Sequence, residues 1–231
     1  DDSALYSYAT MRAMGHGGYK NEEEAVFLFT KMAKKGNVHA TYNLATMYLK
    51  GQGVKISVPR AISLFQFVAK EGITKAYNDL GQIYTDGMSV EQDYTEALKW
   101  FGIGSEAGCP QCHMSLANMF SHGKGVGQDH TIALHHHMVA ADAGLAMAQH
   151  NVAIQYFTGK GADVDLHLAE HYFSLAAEQN FVHSQINLGN MYHTGYGVEV
   201  DLDKARQYYE AAAASGNKDA EGLLNSVNEK I

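Results

Sequence analysis

The chain has 231 residues, of which 46% are hydrophobic and 18% charged, and its formal net charge is −8. A chain of this size and composition buries a substantial core, which argues against disorder and predicts one or two globular domains. Its 17 Lys and Arg residues form no cluster, which argues against nucleic acid as a partner because such binding depends on neutralising phosphates.

The start of the chain, DDSALYSYATMRAMGHGGYK, lacks the basic residues and the apolar stretch of a signal peptide. No apolar run approaches the roughly 18 residues that a membrane span requires. The chain begins at Asp1 without Met, so we expect an excised piece whose parent carries any signal or anchor. The compartment therefore stays open among the endoplasmic reticulum lumen, the bacterial periplasm and the cytoplasm.

An internal repeat with a period of 36 residues runs along the whole chain, and no insertion breaks its register. We predict a single repeat domain over residues 1–231. A divergent unit spans 3–38, complete units span 39–74, 75–110, 111–146, 147–182 and 183–218, and a C-terminal capping helix spans 219–231.

The first half of each unit predicts a helix of about 12 residues, helix A, because two apolar columns lie one helical turn apart. The first column contains Leu44, Leu80, Leu116, Val152 and Leu188, and the second contains Tyr48, Tyr84, Phe120, Tyr156 and Tyr192. A glycine then ends the helix, because a residue without a β-carbon readily adopts the left-handed conformation. These glycines are Gly51, Gly87, Gly123, Gly159 and Gly195.

The second half of each unit predicts a second helix, helix B. Its start is marked by side-chain oxygens that can accept from the free N–H groups of a helix. They belong to Asn21, Ser57, Asp93, Asp129, Asp165 and Asp201. An alanine column and aromatic pairs such as Tyr172-Phe173 then let two helices approach and interlock. Helix B is predicted to end at Gly36, Gly72, Gly108, Gly144, Asn180 and Gly216.

Helical hairpins that repeat without long linkers predict an all-α fold, an α-solenoid that curves into a right-handed superhelix. The pattern A-x-x-x-L-G-x-x-Y-x-x-G-x-G-V, followed by an acidic cap, A-x-x-W/Y-Y/F and A-A-x-x-G, resembles that of Sel-1-like repeats, which are related to tetratricopeptide repeats. The segments KAYNDLGQIYTDG and HSQINLGNMYHTGYGVEVDLDKARQYYEAAAASG match it closely. The first unit departs from it at Tyr8, Arg12 and Gly17-Gly18, where Leu, an aromatic residue and G-V are expected.

The segment HLAEH, which begins at His167, has the order H-x-x-E-H of an inverted zinc-peptidase motif. In the repeat it opens a B helix, and Glu170 shares a column with Arg206 one unit later, so we predict an ion pair between them. This interpretation requires no metal or other cofactor. The alternative is a zinc site, in which His135, His167 and His171 bind one metal between helices packed about 8–10 Å apart.

Two further motifs have a packing interpretation. The run HHH places His136 and His137 in the aromatic columns, where burial beside polar partners is expected. In CPQC, Cys112 fills a small-residue column and Cys109 follows the end of a B helix, so packing is expected rather than thiol redox chemistry. With only two Cys and no N-x-[ST] acceptor, the sequence also disfavours a disulfide-built or glycosylated extracellular module.

The resemblance implies a non-enzymatic scaffold or adaptor that binds partner proteins or extended peptides and assembles a larger complex. Sel-1-like proteins look like adaptors in an endoplasmic-reticulum degradation complex of eukaryotes and in signalling or host-contact proteins of bacteria. The rival is a hydrolase, either the zinc version or a penicillin-binding activity as attributed to cysteine-rich bacterial relatives. Those relatives have paired Cys in each unit, which this chain lacks. The partner, the pathway and the oligomeric state stay open.

By analogy with tetratricopeptide repeats, the ligand is expected on the concave face, which outward positions of the A helices line. Asn and Gln amides can bond the backbone of an extended peptide, while Tyr, Met and Ile offer apolar contacts for its side chains. The predicted binding residues are Tyr42, Thr46, Asn78, Gln82, Met114, Asn118, His122, His150, Ile154, Ile186, Asn190 and His193.

Overall fold

The structure, a computed structural model, describes residues 2–87 and 90–229. Over these ranges the chain forms thirteen α-helices and no β-strand, as the sequence predicts. The A helices are α1 (Asp2–Met14), α3 (Val38–Lys50), α5 (Lys75–Asp86), α7 (Pro110–His122), α9 (Ala146–Thr158) and α11 (Val182–Thr194). The B helices are α2 (Glu22–Ala33), α4 (Val58–Lys70), α6 (Tyr94–Glu106), α8 (His130–Asp142), α10 (Leu166–Glu178) and α12 (Leu202–Ala214), and α13 (Lys218–Asn228) follows them.

The helices divide into two compact units, Asp1–Cys112 and His113–Ile231. In unit 1 the core groups around the buried rings of Phe29 and Phe65. In unit 2 it groups around Phe173 and Tyr209, with a second cluster that contains Val152. That the whole chain forms a single domain stays a prediction.

The helix ends follow the predicted glycines. The glycines that cap α3, α5, α9 and α11 have φ between 66° and 74°, and the N–H of each bonds a carbonyl in the last turn of its helix. After the B helix α10, Asn180 takes the same left-handed region with φ of 60°. Asn tolerates this region better than other residues with a side chain, so the one substitution in the glycine column preserves the turn.

The predicted N-caps are confirmed at five B helices and wrong at one. Asp93 accepts hydrogen bonds from the backbone N–H groups of Thr95 and Glu96, and the side chains of Asn21, Asp129, Asp165 and Asp201 cap their helices in the same way. Ser57 makes no side-chain cap bond to α4. The second residue of α4 is Pro59, which has no N–H, so one of the usual donors to a cap is missing there.

Small residues let the two helices of a hairpin approach closely, as predicted. A β-carbon at Gly189 on α11 would overlap the ring of Tyr209 on α12, and one at Gly81 on α5 would overlap the ring of Phe101 on α6. Both rings are at most 1% exposed. The glycine of the repeated L-G pair therefore makes room for the aromatic residue of the following B helix.

The divergent first hairpin replaces apolar contacts with a polar bridge. Arg12 and Tyr8 on α1 both donate to the carboxylate of Glu24 on α2, over 2.6 and 3.0 Å. Both hydrogen bonds lower the pKa of Glu24, and the bond from Arg12 has the larger effect. Tyr6 accepts a hydrogen bond from Asn43 over 2.9 Å, which ties the hairpin to α3.

Candidate functional site

The predicted ion pair between Glu170 and Arg206 is wrong. Glu170 instead accepts hydrogen bonds from the hydroxyl of Tyr192 over 3.0 Å and from Ser174 over 3.3 Å. Arg206 pairs within its own helix, with Asp203 over 3.0 Å and more distantly with Glu210. The Tyr192 hydroxyl reaches Glu170 from α11, whereas the guanidinium of Arg206 pairs with carboxylates one helical turn away. Glu170 and Arg206 therefore have different partners.

The alternative zinc site has no geometric basis in the part of the chain that the structure describes. No group of three or more His, Cys, Asp or Glu side chains lies close enough there to hold a metal ion. His135, His167 and His171 are each exposed, and the ring of His171 packs edge-on against Tyr172. Neither this geometry nor the comparisons below favours a hydrolase.

In the HHH run, His137 is buried beside polar partners, as the repeat predicts, whereas His136 is half-buried and His135 is exposed. His137 is 4% exposed, and its two ring nitrogens lie 2.7 Å from the Gln155 amide oxygen and 3.2 Å from the Asn151 amide nitrogen. His136 lies 2.9 Å from His113 through the Nδ1 atoms and stacks on Phe120. Burial lowers the pKa of His136 to about 4, and the neighbouring histidines contribute less to this shift. Burial also lowers the pKa of His137.

Both cysteines are free and fully buried. The Sγ of Cys112 fills space that a β-carbon at Gly104 would occupy. Hydrogen bonds lower the pKa of Cys109 to about 7. The largest effect comes from the thiol of Cys112, and backbone N–H groups, including that of Cys112, add to it. The bond between the two thiols raises the pKa of Cys112. The burial agrees with the predicted packing role.

Two adjoining cavities open on the A helices of unit 2. The first, called the apolar pocket, has a volume of about 250 Å³. It lies between α9 and α11 and is lined by Ile154, Phe157, Phe173, Asn187, Asn190, Met191, Thr194 and Tyr196. Large apolar side chains form most of its wall, and two amides lie among them. Tyr196 is 50% exposed, which leaves much of its ring available to a ligand.

The second cavity, called the polar cleft, has a volume of about 370 Å³. It is lined by Asn118, Ser121, His122, Gln128, His130, His137, Asn151, Ile154, Gln155 and Lys160. Ile154 therefore lines both cavities, and residues of α7, α9 and α11 contribute to the two of them.

A buried network of amides fixes the floor of the polar cleft. Asn151 donates to Nε2 of His137, so Nδ1 of the neutral ring carries the proton and donates to Gln155. The amide nitrogen of Gln155 in turn donates to the backbone carbonyls of His130 and Lys160. These hydrogen bonds hold the turns that flank the cleft in a defined position.

Four of the twelve predicted binding residues line these cavities, namely Asn118, His122, Ile154 and Asn190. Asn118 is exposed, and Nδ1 of His122 donates to the Asn118 carbonyl over 2.8 Å. Asn190 is also exposed, but its Oδ1 accepts a hydrogen bond of 2.7 Å from Tyr209. Asn190 therefore supports the core as well as the surface.

The other predicted residues of unit 2 are less accessible. Met114 is 8% exposed and belongs to the core. His150 is half-buried, its Nδ1 lies 2.9 Å from the Ser184 hydroxyl, and burial lowers its pKa to about 4. Ile186 and His193 are half-buried, with the His193 ring edge-on to Tyr209. His150 therefore joins one A helix to the next.

In unit 1 the predicted residues bond the next A helix or their own helix. The Tyr42 hydroxyl donates to Asp79 over 2.7 Å. Burial raises the pKa of Tyr42, and the hydrogen bond to Asp79 raises it further. Thr46 bonds the Tyr42 carbonyl, Gln82 bonds Asp86, and Asn78 is half-buried. A cavity of about 420 Å³ lies elsewhere in this unit, lined by Leu44, Tyr48, Pro59, Arg60, Ser63 and Leu64.

The sequence prediction did not include several residues of the two cavities. Asn151 and Asn187 share one repeat column, which lies one position after the column of His150 and Ile186. A run of polar residues in this column, next to a predicted binding column, is the signal that could have identified them. Lys160 and Tyr196 also share a column, in the turn after helix A, where the repeat pattern predicts only glycines.

The hairpins, their repeated glycine turns and their surface cavities define a class of protein, the α-solenoids built from tandem helical hairpins. The sequence profile of the Sel1 repeat matches six consecutive segments, and the chain belongs to the Sel1 repeat family. The segments are residues 2–37, 38–72, 74–109, 110–145, 146–181 and 182–217.

Solved structures with the same fold include three bacterial proteins. A protective antigen present in uropathogenic Escherichia coli strains is 28% identical, with a TM-score of 0.82 over 99% of this chain and 49% of its own, so this chain spans about half of its length. A Sel1 repeat protein from Oxalobacter formigenes is 26% identical, with a TM-score of 0.81 over 93% of this chain and 88% of its own. An immunity protein from Pseudomonas aeruginosa, 18% identical with a TM-score of 0.60 over 92% of this chain and 81% of its own, shares the fold. No curated protein matches the sequence.

Membership of this family has a general functional meaning. Sel1 repeats are generally modules for protein–protein interaction, and their fold is typically a non-catalytic scaffold. None of the helices that the structure describes has the length and apolar character needed to cross a membrane.

Proposed function

We propose that this chain is a non-enzymatic scaffold that binds an extended segment of a partner protein across the A helices of unit 2. The observation that carries the proposal is the pair of adjoining cavities, which share Ile154 and cross three successive A helices. A surface of this length suits an extended segment, because a ligand that crosses it meets two cavities in succession.

The chemistry of the surface suits a peptide. Amides of Asn118, Asn151 and Asn187 offer both donors and acceptors, which an extended backbone requires at alternate positions. The side chains of Phe157 and Tyr196 offer apolar contact for one ligand side chain. From the sequence prediction the proposed site retains Asn118, His122, Ile154 and Asn190.

The test begins with a ligand selected by the protein itself. Random 12-residue peptides displayed on phage are selected against the full chain, and enriched peptides are synthesised with a fluorescent label. Ile154→Ala removes apolar area at the junction of the two cavities, a loss of about 1–2 kcal/mol of contact. We expect fluorescence anisotropy to show binding of these peptides weakened by about tenfold in this variant.

Arg60→Ala in the unit 1 cavity provides the control, since it alters a cavity wall elsewhere in the chain. We expect it to leave peptide affinity within twofold of that of the unchanged chain. Peptides that bind Ile154→Ala normally but lose affinity for Arg60→Ala would move the site to unit 1. Failure of the selection to enrich any peptide would contradict the proposed function.

A further inference from the structure

Among the described residues that line the polar cleft, Lys160 supplies the formal charge, which is positive. Lys160 lines the cleft together with His122, His130 and His137, and no Asp or Glu is among its lining residues. This is notable in a chain with a formal net charge of −8. In the part of the chain that the structure describes, the ammonium group of Lys160 forms no ion pair, so its charge is available to a ligand.

Asp163, the nearest acidic residue in sequence, is exposed and forms no ion pair within the described residues. Asp129 and Asp165, which lie in the turns beside the cleft, have other partners. The carboxylate of Asp129 accepts from the backbone N–H groups of Thr131 and Ile132 at the start of α8. The carboxylate of Asp165 accepts from the N–H of Leu168 at the start of α10. Because the carboxylates of Asp129 and Asp165 each cap a helix, they are held at helix N-termini and do not pair with Lys160.

The apolar pocket, one repeat further along, has a different preference. Ile154, Phe157, Phe173 and Met191 form most of its wall, and its volume is about 250 Å³. An apolar cavity of about 150 Å³ holds a benzene ring. The pocket is therefore large enough for one leucine or aromatic side chain.

The spacing of the two cavities sets a spacing in the ligand. The polar cleft lies between α7 and α9 and the apolar pocket between α9 and α11, so one A-helix step separates them. The 2.9 Å contact from His150 to Ser184 joins α9 directly to α11, and helices in contact are about 8–10 Å apart. In a polyproline II segment, residues three apart lie on one face and about 9 Å from each other.

We propose that the bound segment carries an aspartate or glutamate three residues from a large apolar residue, with the carboxylate at Lys160 and the apolar side chain in the apolar pocket. This inference rests on the proposed function and adds the class of ligand. Charge attraction at Lys160 orients the segment, and burial of the apolar side chain supplies contact area. The order of the two residues along the ligand decides the direction in which the segment crosses the A helices.

The same phage-displayed 12-residue peptides test the inference. We expect enriched sequences to contain Asp or Glu three positions from Leu, Ile, Met, Phe, Tyr or Trp. One enriched peptide is then synthesised in its native form and with the acidic residue changed to Gln or to Lys. The protein is compared with Lys160→Glu and with Lys124→Glu, which alters the same turn position one repeat earlier and lies outside the cleft.

We expect Lys160→Glu to weaken the acidic peptide by tenfold or more and to bind the Lys-substituted peptide better than the acidic one. Lys124→Glu should bind the acidic peptide within twofold of the unchanged chain. Because Lys160 and Lys124 are both exposed in turns, equal circular dichroism spectra and melting midpoints are expected for the two variants.

The outcomes separate the inference from the proposed function. Peptides that lack an acidic position, or an acidic peptide that binds Lys160→Glu without loss, would overturn the inference. If Ile154→Ala still weakens those peptides, the binding surface stands and only the ligand class is wrong. Peptides that respond to neither Lys160→Glu nor Ile154→Ala would overturn both.

Discussion

The hydrogen bond between Asn190 and Tyr209 predicts that a surface substitution destabilises the core. Tyr209 is 0% exposed, and its hydroxyl donates to the Asn190 side chain over 2.7 Å. Asn190→Ala removes the acceptor and leaves the hydroxyl buried without a partner, which costs about 1–3 kcal/mol. The gain in helix propensity from Asn to Ala returns about 0.5 kcal/mol. We therefore expect Asn190→Ala to lower the free energy of unfolding by about 1–2 kcal/mol.

A second substitution isolates this effect from any role of Asn190 in binding. Tyr209→Phe removes the hydroxyl itself, so Asn190→Ala should cost much less in that background, with a coupling of about 1 kcal/mol between the two sites. Urea unfolding followed by circular dichroism measures all four proteins. Because repeat proteins can unfold unit by unit, hydrogen exchange of the α11 and α12 amides gives the local value.

Equal losses from Asn190→Ala in both backgrounds would refute the reasoning, since the hydroxyl would then have another acceptor. The cycle also decides how the binding surface is tested. Asn118 is exposed and its side chain forms no core bond of this kind, so Asn118→Ala tests peptide binding directly. For Asn190, affinity is best compared between Tyr209→Phe and the double variant, in which both proteins lack the buried hydroxyl.

Two further predictions concern stability. Gly189→Ala places a methyl group against the ring of Tyr209 and should lower the free energy of unfolding by about 2 kcal/mol or more, whereas Gly222→Ala, with open space around it, should raise it by about 0.5–1 kcal/mol in urea titrations. Burial lowers the pKa of His136 and His150 from 6.5 to about 4, so between these values the unfolded chain binds protons that the folded chain does not. The urea midpoint should therefore fall as the pH is lowered from 7 towards 4.5, and a constant midpoint would contradict the burial of these rings.

Local backbone features are predictable from this sequence because a few neighbouring residues determine them. Gly51 and Asn180 both mark left-handed helix ends, and Asp93 caps its helix as expected. The exception, Ser57, also has a local cause, because Pro59 removes a donor that the cap would use. A cap prediction that also considers the two residues after the cap would have avoided this error.

Contacts between repeats are less predictable. Column alignment identifies neighbouring helices, but it does not determine which flexible side chains meet. Glu170 and Arg206 illustrate this, because Tyr192 bonds the carboxylate of Glu170 and Asp203 pairs with the guanidinium of Arg206. The repeat therefore predicts the scaffold well and its polar contacts poorly.

The binding surface is predicted only in part for a geometric reason. A shift of one position rotates the chosen face of a helix by about 100°. Tyr42 and His150, in a predicted column, bond residues of the next A helix, whereas Asn151 and Asn187, one position later, line the cavities. The packing angle between successive A helices decides which column stays open, and the period alone does not contain that angle.

The pairing of His137 with Gln155 also bears on how a chain of similar repeated units avoids folding in the wrong order. His137 replaces an aromatic residue of its column, and Gln155 takes the position that Met191 holds one repeat later. A hairpin that docked one repeat out of place would bring Met191 to His137, leaving a buried imidazole proton without an acceptor at a cost of about 1–3 kcal/mol. A single matched polar pair thus distinguishes the correct neighbouring repeat from others that present similar apolar surfaces. Docking of the wrong repeat would cost free energy, which disfavours misassembly during folding.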